Sequence, residues 1–339
     1  FRYDSEEAAA IALHLGFNQN RLSGFRLLLD GRLGYSPLFS ARMSLAGLSF
    51  VTFNLDYNFQ SSHFYMNTRN GSSSSLVNFN HRLRFYVSEF YLRGASIAFG
   101  IEESFMNLDR WMVEEGAVDN GQMARFSDPS NERRFSSGGL FASLHIDELD
   151  NAYFAARGVR LQLGLRWGLI NDEQMRPQLG NGHFGFGDLN FQLQSHHTFA
   201  KDVITFIPQL YTRTLLGNDN HLVNQTIVGG EVPGRYLDQQ LPFVGLRETW
   251  LLKSCVLVLR ADFRFNIASK HYIYLIGNIL RDADTPEEFV DFTPESFERC
   301  VGAGLKYAYA SPIGPISLTA QWSDITNKFS LYFNLGYNF

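Results

Sequence analysis

Phe329-Ser330-Leu331-Tyr332-Phe333-Asn334-Leu335-Gly336-Tyr337-Asn338-Phe339 closes the chain, and its reading decides the fold. Every odd position is apolar or aromatic. The even positions are Ser, Asn or Gly, apart from Tyr332. That is period two, a strand with one greasy and one polar face. At the edge of a soluble sheet it would offer Leu, Tyr and Phe to water. In a transmembrane β-barrel it faces lipid on one side and a wet lumen on the other, and pairing with the first strand removes the edge.

Composition agrees. Charged residues make up 19% of the 339 and aromatics 15%, with 31 Phe and 15 Tyr, which suits lipid-facing bands and interfacial girdles better than a soluble surface. Mean hydropathy is only −0.15, and no run approaches eighteen uncharged apolar residues, so helical membrane spans are excluded. A barrel reconciles the two, because lumen-facing residues dilute every strand. The net charge of −5 has no local block and argues against a nucleic-acid footprint. Cys255 and Cys300 do not make a disulfide framework, since strand alternation puts them on opposite faces. The chain opens at Phe1 without Met or signal peptide, the pattern of a mature, trimmed or incomplete chain.

Alternating segments recur throughout. Residues 1–4 read as the tail of a first strand cut short. Strands are then expected at 8–17, 24–35, 38–46, 49–59, 76–88, 95–106, 135–147 and 159–170, and again at 187–199, 203–216, 249–267, 271–281, 298–310, 315–322 and from about 328. Those at 203–216 and 271–281 alternate weakly. Long connections near 60–75, 107–134, 171–186, 217–248 and 282–297 alternate with short ones. The expected architecture is all-β, a single 16-stranded antiparallel transmembrane β-barrel over residues 1–339. Short turns are periplasmic, long loops extracellular and both termini periplasmic.

Three places resemble one family. Ser311-Pro312-Ile313-Gly314-Pro315 before the alternating Ile316, Leu318, Ala320 and Trp322 resembles the penultimate periplasmic turn of BamA/TamA-type (bacterial surface antigen) outer-membrane barrels. Phe333-Asn334-Leu335-Gly336-Tyr337-Asn338-Phe339 resembles their terminal strand. The resemblance makes Phe333, Leu335, Gly336, Tyr337 and Phe339 the signal read by the barrel-assembly machinery. Leu149-Asp150-Asn151-Ala152-Tyr153-Phe154-Ala155-Ala156-Arg157-Gly158 partly resembles their mid-barrel turn, with Ala155 and Ala156 in place of Pro and Thr. In style the chain looks closest to the C-terminal barrel of Bacteroidetes patatin-like proteins, through Phe1-Arg2-Tyr3-Asp4-Ser5-Glu6-Glu7, Gln240-Leu241-Pro242-Phe243-Val244-Gly245 and the Leu-Gly-Tyr-Asn-Phe end. Any periplasmic or patatin module would lie upstream of residue 1.

The family pins its sixth loop inside the barrel with an Arg in a Val-Arg-Gly-Phe/Tyr motif. Here Gly229-Gly230 and Gly234-Arg235-Tyr236 are the candidates, with Arg235 as the pin, although Gly-Arg-Tyr departs from the family order. That loop is expected to fold into the lumen.

Catalytic readings fail on the residues. No Ser carries the flanking glycines of a nucleophile elbow, and Asp30-Gly31-Arg32 lies inside a strand, so no hydrolase is expected here. Asn67 to Ser75 is a flexible loop without the Lys of a phosphate loop. His196 and His197 point to opposite faces and read as surface histidines near the periplasmic end, not metal ligands. Glu102-Glu103 straddles a strand, and Glu114-Glu115 sits in a solvated loop. The acidic loop 282–297 lacks calcium-loop spacing and reads as exposed. No metal or cofactor is expected.

Charges of lumen parity are Arg26, Asp30, Arg32, Asp56, Arg82, Arg84, Arg160, Arg166, Arg260, Asp262, Arg264 and Lys306. On the lipid face each Arg would cost ~2–4 kcal/mol at the midplane. Inside, they are expected to pair with each other and with the plugging loop. The expected function is an outer-membrane anchor and a translocation or assembly scaffold. Its expected partners are outer-membrane lipids, the barrel-assembly machinery during insertion and other outer-membrane subunits, with no nucleic acid. The alternative is a stand-alone channel or transporter for solutes.

Overall fold

The computed structural model describes residues 2–4, 8–19, 24–47, 51–67, 73–88, 94–113, 133–173, 186–200, 202–217, 226–234, 237–247, 249–251, 254–291 and 299–336. In chain order the strands are β1 (Arg2–Asp4), β2 (Ala8–Gln19), β3 (Phe25–Gly34), β4 (Leu38–Ala46), β5 (Thr52–Asn67), β6 (Ser73–Ser88) and β7 (Ala95–Val113). Then come β8 (Arg133–Asp147), β9 (Arg157–Glu173), β10 (Phe186–Phe199), β11 (Ile204–Leu216), and the short β12 (Ile227–Val228), β13 (Gln240–Leu241) and β14 (Thr249–Leu251). The last are β15 (Cys255–Ala268), β16 (His271–Ala283), β17 (Arg299–Ser311), β18 (Gly314–Ser323) and β19 (Lys328–Gly336). A five-residue helix, α1 (Pro286–Val290), interrupts the acidic loop.

The long strands form one antiparallel sheet in sequence order, and β11 pairs with β15 across the three short strands. β1 pairs with β2 on one side and with β19 on the other. Period two is kept across each ladder. On the outer face Ile11, Leu13, Leu15 and Phe17 stand exposed beside Phe85, Phe99, Ile101, Trp167, Leu305 and Leu331. The opposite, inner face carries the charges and the segment 226–251 packed on them.

Several boundaries differ from the sequence reading. β5 and β6 continue as a hairpin to Met66↔Ser74 and Asn67↔Ser73, where a loop was expected. β7 likewise runs to Val113. Beyond the lipid-facing band neither face has to be apolar, so the alternation fades while the backbone ladder persists. The single strand expected at 249–267 is two pieces, because β14 leaves the sheet order to pair with β12 and, in parallel, with β5. The acidic loop is not simply exposed. Thr285 caps α1 by accepting the Glu288 N–H, and Asp282 is buried. His196 is buried, not a surface residue.

Candidate functional site

Segment 226–251 is built to lie folded back on itself. Gly230 (φ 71°) and Gly245 (φ 112°) take left-handed turns that a β-carbon would strain. Gly229 N–H donates to the Leu241 carbonyl (3.1 Å), Gly230 N–H to Leu246 (2.8 Å) and Phe243 N–H to Gly230 (2.9 Å). Backbone polarity is thus satisfied internally, which lets Val228, Leu241, Phe243, Val244 and Leu246 bury almost completely. Val228, Leu241, Phe243 and Leu246 pack on Tyr211, Val256, Val258, Leu280 and Cys300 from the inner face, with Trp250 and Ile325 alongside, while Val244 packs with Ile207, Tyr274, Ile276 and Ala308.

The sheet holds this segment by amides and by charge. Asn278 clamps Val244, accepting its N–H at 2.9 Å and donating to its carbonyl at 3.0 Å. Gln321 Oε1 accepts from Gly245 N (3.0 Å), and Thr249 Oγ1 donates to the Tyr65 carbonyl (2.6 Å). Gly302 makes room: a β-carbon there would lie 2.1 Å from the Val244 oxygen. Lys306 Nζ meets Glu231 Oε2 at 2.6 Å, and Arg82 pairs with Asp238. Burial pushes the Glu231 carboxyl up, but Lys306, helped by Thr319 and Arg260, outweighs it and holds the group below the usual glutamate range. Arg82, with Arg84 and Arg166 nearby, holds the half-exposed Asp238 below the usual aspartate range.

Several charges of the inner face form ion pairs and hydrogen bonds. Arg260 grips Asp262 through Nε–Oδ1 and Nη2–Oδ2, both 2.8 Å, and Gln209 donates to Asp262 at 3.1 Å. Arg264 donates to Thr205 Oγ1 (3.0 Å), and Arg160 meets Asp147 at 2.8 Å. Glu102 bridges Arg84 (2.7 Å) and Arg166 (2.6 Å). Glu103, by contrast, sits on the outer parity with Leu83 and accepts from Ser136 Oγ at 3.2 Å. Arg42 pairs with Asp56 (2.9 Å), and His14 with Asp30. Arg32 is buried and donates to the Ser36 carbonyl, while Arg26 stays exposed.

Of the sixth-loop candidates, Gly229, Gly230 and Gly234 form the turns, and Gly234 N–H donates to Gln240. Arg235 and Tyr236 lie outside the described residues. Sequence reasoning missed Glu231, Asp238, Asn278, Gln321 and Gly302, which attach the segment. The only signal was two carboxylates in a loop facing a sheet rich in arginine.

Cover is uneven. The inner face of β11 and β15–β18 is buried beside the segment, with Gln209, Arg213, Thr319 and Gln321 nearly inaccessible, and Tyr332 of β19 is buried as well. Across β2–β4 the same face is partly open: the side chains of His14, Asp30 and Arg42 are 65%, 45% and 48% exposed, while Arg32 and Ser44 are buried. A second cover comes from the 149–158 turn. Phe154 stacks on Tyr272 with ring centres 4.5 Å apart, and the Ala155 and Ala156 carbonyls take hydrogen bonds from His196 Nδ1 (2.8 Å) and Thr198 Oγ1 (2.6 Å). This contact under the turn is what buries His196.

The seam is short. Arg2↔Gly336, Tyr3↔Leu335 and Asp4↔Asn334 are the β1–β19 pairs, so among the described residues three of β19's nine positions have a partner there. The Tyr3 and Phe333 rings, 6.0 Å apart, cross it on the outer face. Phe333, Leu335 and Gly336 of the terminal signal lie in or beside β19's last turns of ladder, whereas Tyr337 and Phe339 lie outside the described residues.

Residues 46–339 match the model of the OMP85 superfamily. No curated protein sequence matches the chain. Among solved structures, the chain is similar to BamA from Haemophilus ducreyi lacking POTRA domains 1-3, with 11% identity and TM-score 0.63 over 98% of this chain and 68% of that one. CdiB from Escherichia coli gives 12% and 0.55 over 98% and 61%, and CdiB from Acinetobacter baumannii 10% and 0.53 over 99% and 58%. At these identities the likeness is one of fold. The chain spans less than two thirds of either CdiB.

Proposed function

Because the chain belongs to the OMP85 superfamily of outer-membrane β-barrel proteins, we propose that its sixteen sheet strands (the nineteen less β12, β13 and β14) close through β1 and β19 into a plugged anchor and scaffold for translocation or assembly. Both termini face the periplasm in this reading, and segment 226–251 is the sixth loop folded into the lumen. The observation that supports it is the attachment of that segment to the inner face by Asn278, Gln321, Lys306 and Arg82. A patatin-like module upstream would be the cargo or partner of such an anchor. Arg235 and Tyr236 would complete the lock, and the end of β19 would be the signal read by the assembly machinery. These residues hold no catalytic chemistry in this reading.

The second reading is a solute channel. The partly open inner face along β2–β4 favours it, since a water-filled lane beside the plug would conduct. Planar-bilayer recording of the purified barrel separates the two. A quiet baseline with rare openings is expected of the scaffold, and large steady currents would replace it with the channel.

A further inference from the structure

The outer face of β10, β11, β15 and β16 carries a groove of about 610 Å³, within the ~300–1,000 Å³ range of ordinary ligand sites. Its floor is Ser195, Pro208, Ala261 and Gly277, one small residue from each strand. The register sets Pro208 beside Ala261 and Ala261 beside Gly277. Leu193, Leu210, Leu259 and Ile279 wall it on one side. Pro208 has no N–H to give a central ladder, and the β10–β11 pairing is interrupted there, between Gln194↔Gln209 and His197↔Phe206. The ladder loosens where the surface sinks.

The groove is apolar, but its neighbour is not. Arg157 on β9 and His197 on β10 are cross-strand partners, exposed on the outer parity at the short-turn end of their strands. His197 stands two residues from Ser195, whose Oγ lies 3.1 Å from its Nε2. A cation on a lipid-facing surface is stable where it reaches headgroup depth, and there it attracts anionic phosphate.

We propose that this groove binds one anionic phospholipid, an acyl chain lying over Pro208, Ala261 and Gly277 and the phosphate meeting Arg157 and His197. An anionic phospholipid combines an apolar chain with an anionic head at membrane depth. The inference rests on the transmembrane barrel reading. That reading fails separately if the full chain stays soluble and monodisperse without detergent.

The test is native mass spectrometry of the full chain in detergent, with phosphatidylglycerol and phosphatidylcholine added in equal amounts. One phosphatidylglycerol should be retained in preference to phosphatidylcholine. Ala261→Leu with Gly277→Leu should fill the groove and cut that retention about tenfold or more. Arg157→Gln with His197→Gln, on exposed positions that leave the ladder intact, should abolish the preference while phosphatidylcholine still binds. Equal retention of both lipids by the unaltered chain, no retained lipid, or a preference untouched by Arg157→Gln with His197→Gln would each overturn the proposal. So would undiminished retention in a filled-groove variant that keeps its heat-modifiable migration.

Discussion

Lys306 on β17 and Glu231 in segment 226–251 meet at 2.6 Å between Nζ and Oε2, with the Glu231 side chain only 5% exposed and Lys306 22%. Arg260, already gripping Asp262, turns Nη1 toward the Glu231 carbonyl at 3.4 Å. One loop residue is therefore addressed by two sheet strands, and its charge is compensated only while the loop stays docked.

Lys306→Met should leave the Glu231 carboxylate buried without its cation. Loss of one partner of a buried pair costs ~3–5 kcal/mol. The expected outcome is release of the segment, not collapse of the barrel, because β17 keeps its ladders. Limited proteolysis in detergent should cut within 226–251 far faster than in the unaltered chain, and Glu231→Gln in the same chain should restore part of the protection.

Acid should undock the same segment. Glu231 and Asp238 both have docked values below their ordinary range, so the undocked state binds more protons. Their contribution is fully present above the ordinary carboxylate range and is lost as pH falls through the docked values. Distances between spin labels on the segment and on β17 should stay constant from about pH 7 to 5 and broaden below about 4. A distribution that broadens only on alkalinisation would contradict the assignment.

Gly302→Val should expel Val244. A β-carbon at Gly302 would approach the Val244 oxygen, Asn278 Nδ2 (2.3 Å) and Phe243 Cε1 (2.7 Å), all parts of the plug and its clamp. The outer face of β17 is unaffected, so insertion should be normal. Bilayer recordings should show more frequent and larger openings than the unaltered barrel.

The uneven cover of the inner face is open to chemical mapping. Ala12→Cys and Asn18→Cys on β2 should react with a charged methanethiosulfonate reagent about tenfold faster or more than the buried Gln209→Cys, or than Thr205→Cys, whose neighbour Thr198 is bonded to the 149–158 turn. Cys255 and Cys300 form no disulfide but are at most 1% exposed, so the background should be low.

Clean alternation marks strands whose inner side chains are polar. In 159–170, Leu161, Leu163, Leu165 and Trp167 oppose Arg160, Gln162 and Arg166, and lipid and water write that contrast directly. β11 alternates as regularly in burial, yet Ile207, Tyr211 and Leu215 sit on its inner face among Thr205, Gln209 and Arg213. β16 does the same with Ile276 and Leu280. Both faces of these strands are partly apolar because a second layer lies on the inner one. The weak parity at 203–216 and 271–281 was therefore the imprint of the plug.

What the sequence alone determined is the strand class, the order of hairpins, the outward set and the parity of the inner charges. Each of these follows from period two and from the cost of charge in lipid, both local properties of consecutive residues. Only the tertiary structure decided where segment 226–251 lies, that Glu231 and Asp238 hold it to Lys306 and Arg82, and that His196 is covered by Ala155. Those contacts join residues 41 to 156 positions apart. Their energies depend on burial created by the packed whole, and no spacing along the chain encodes that.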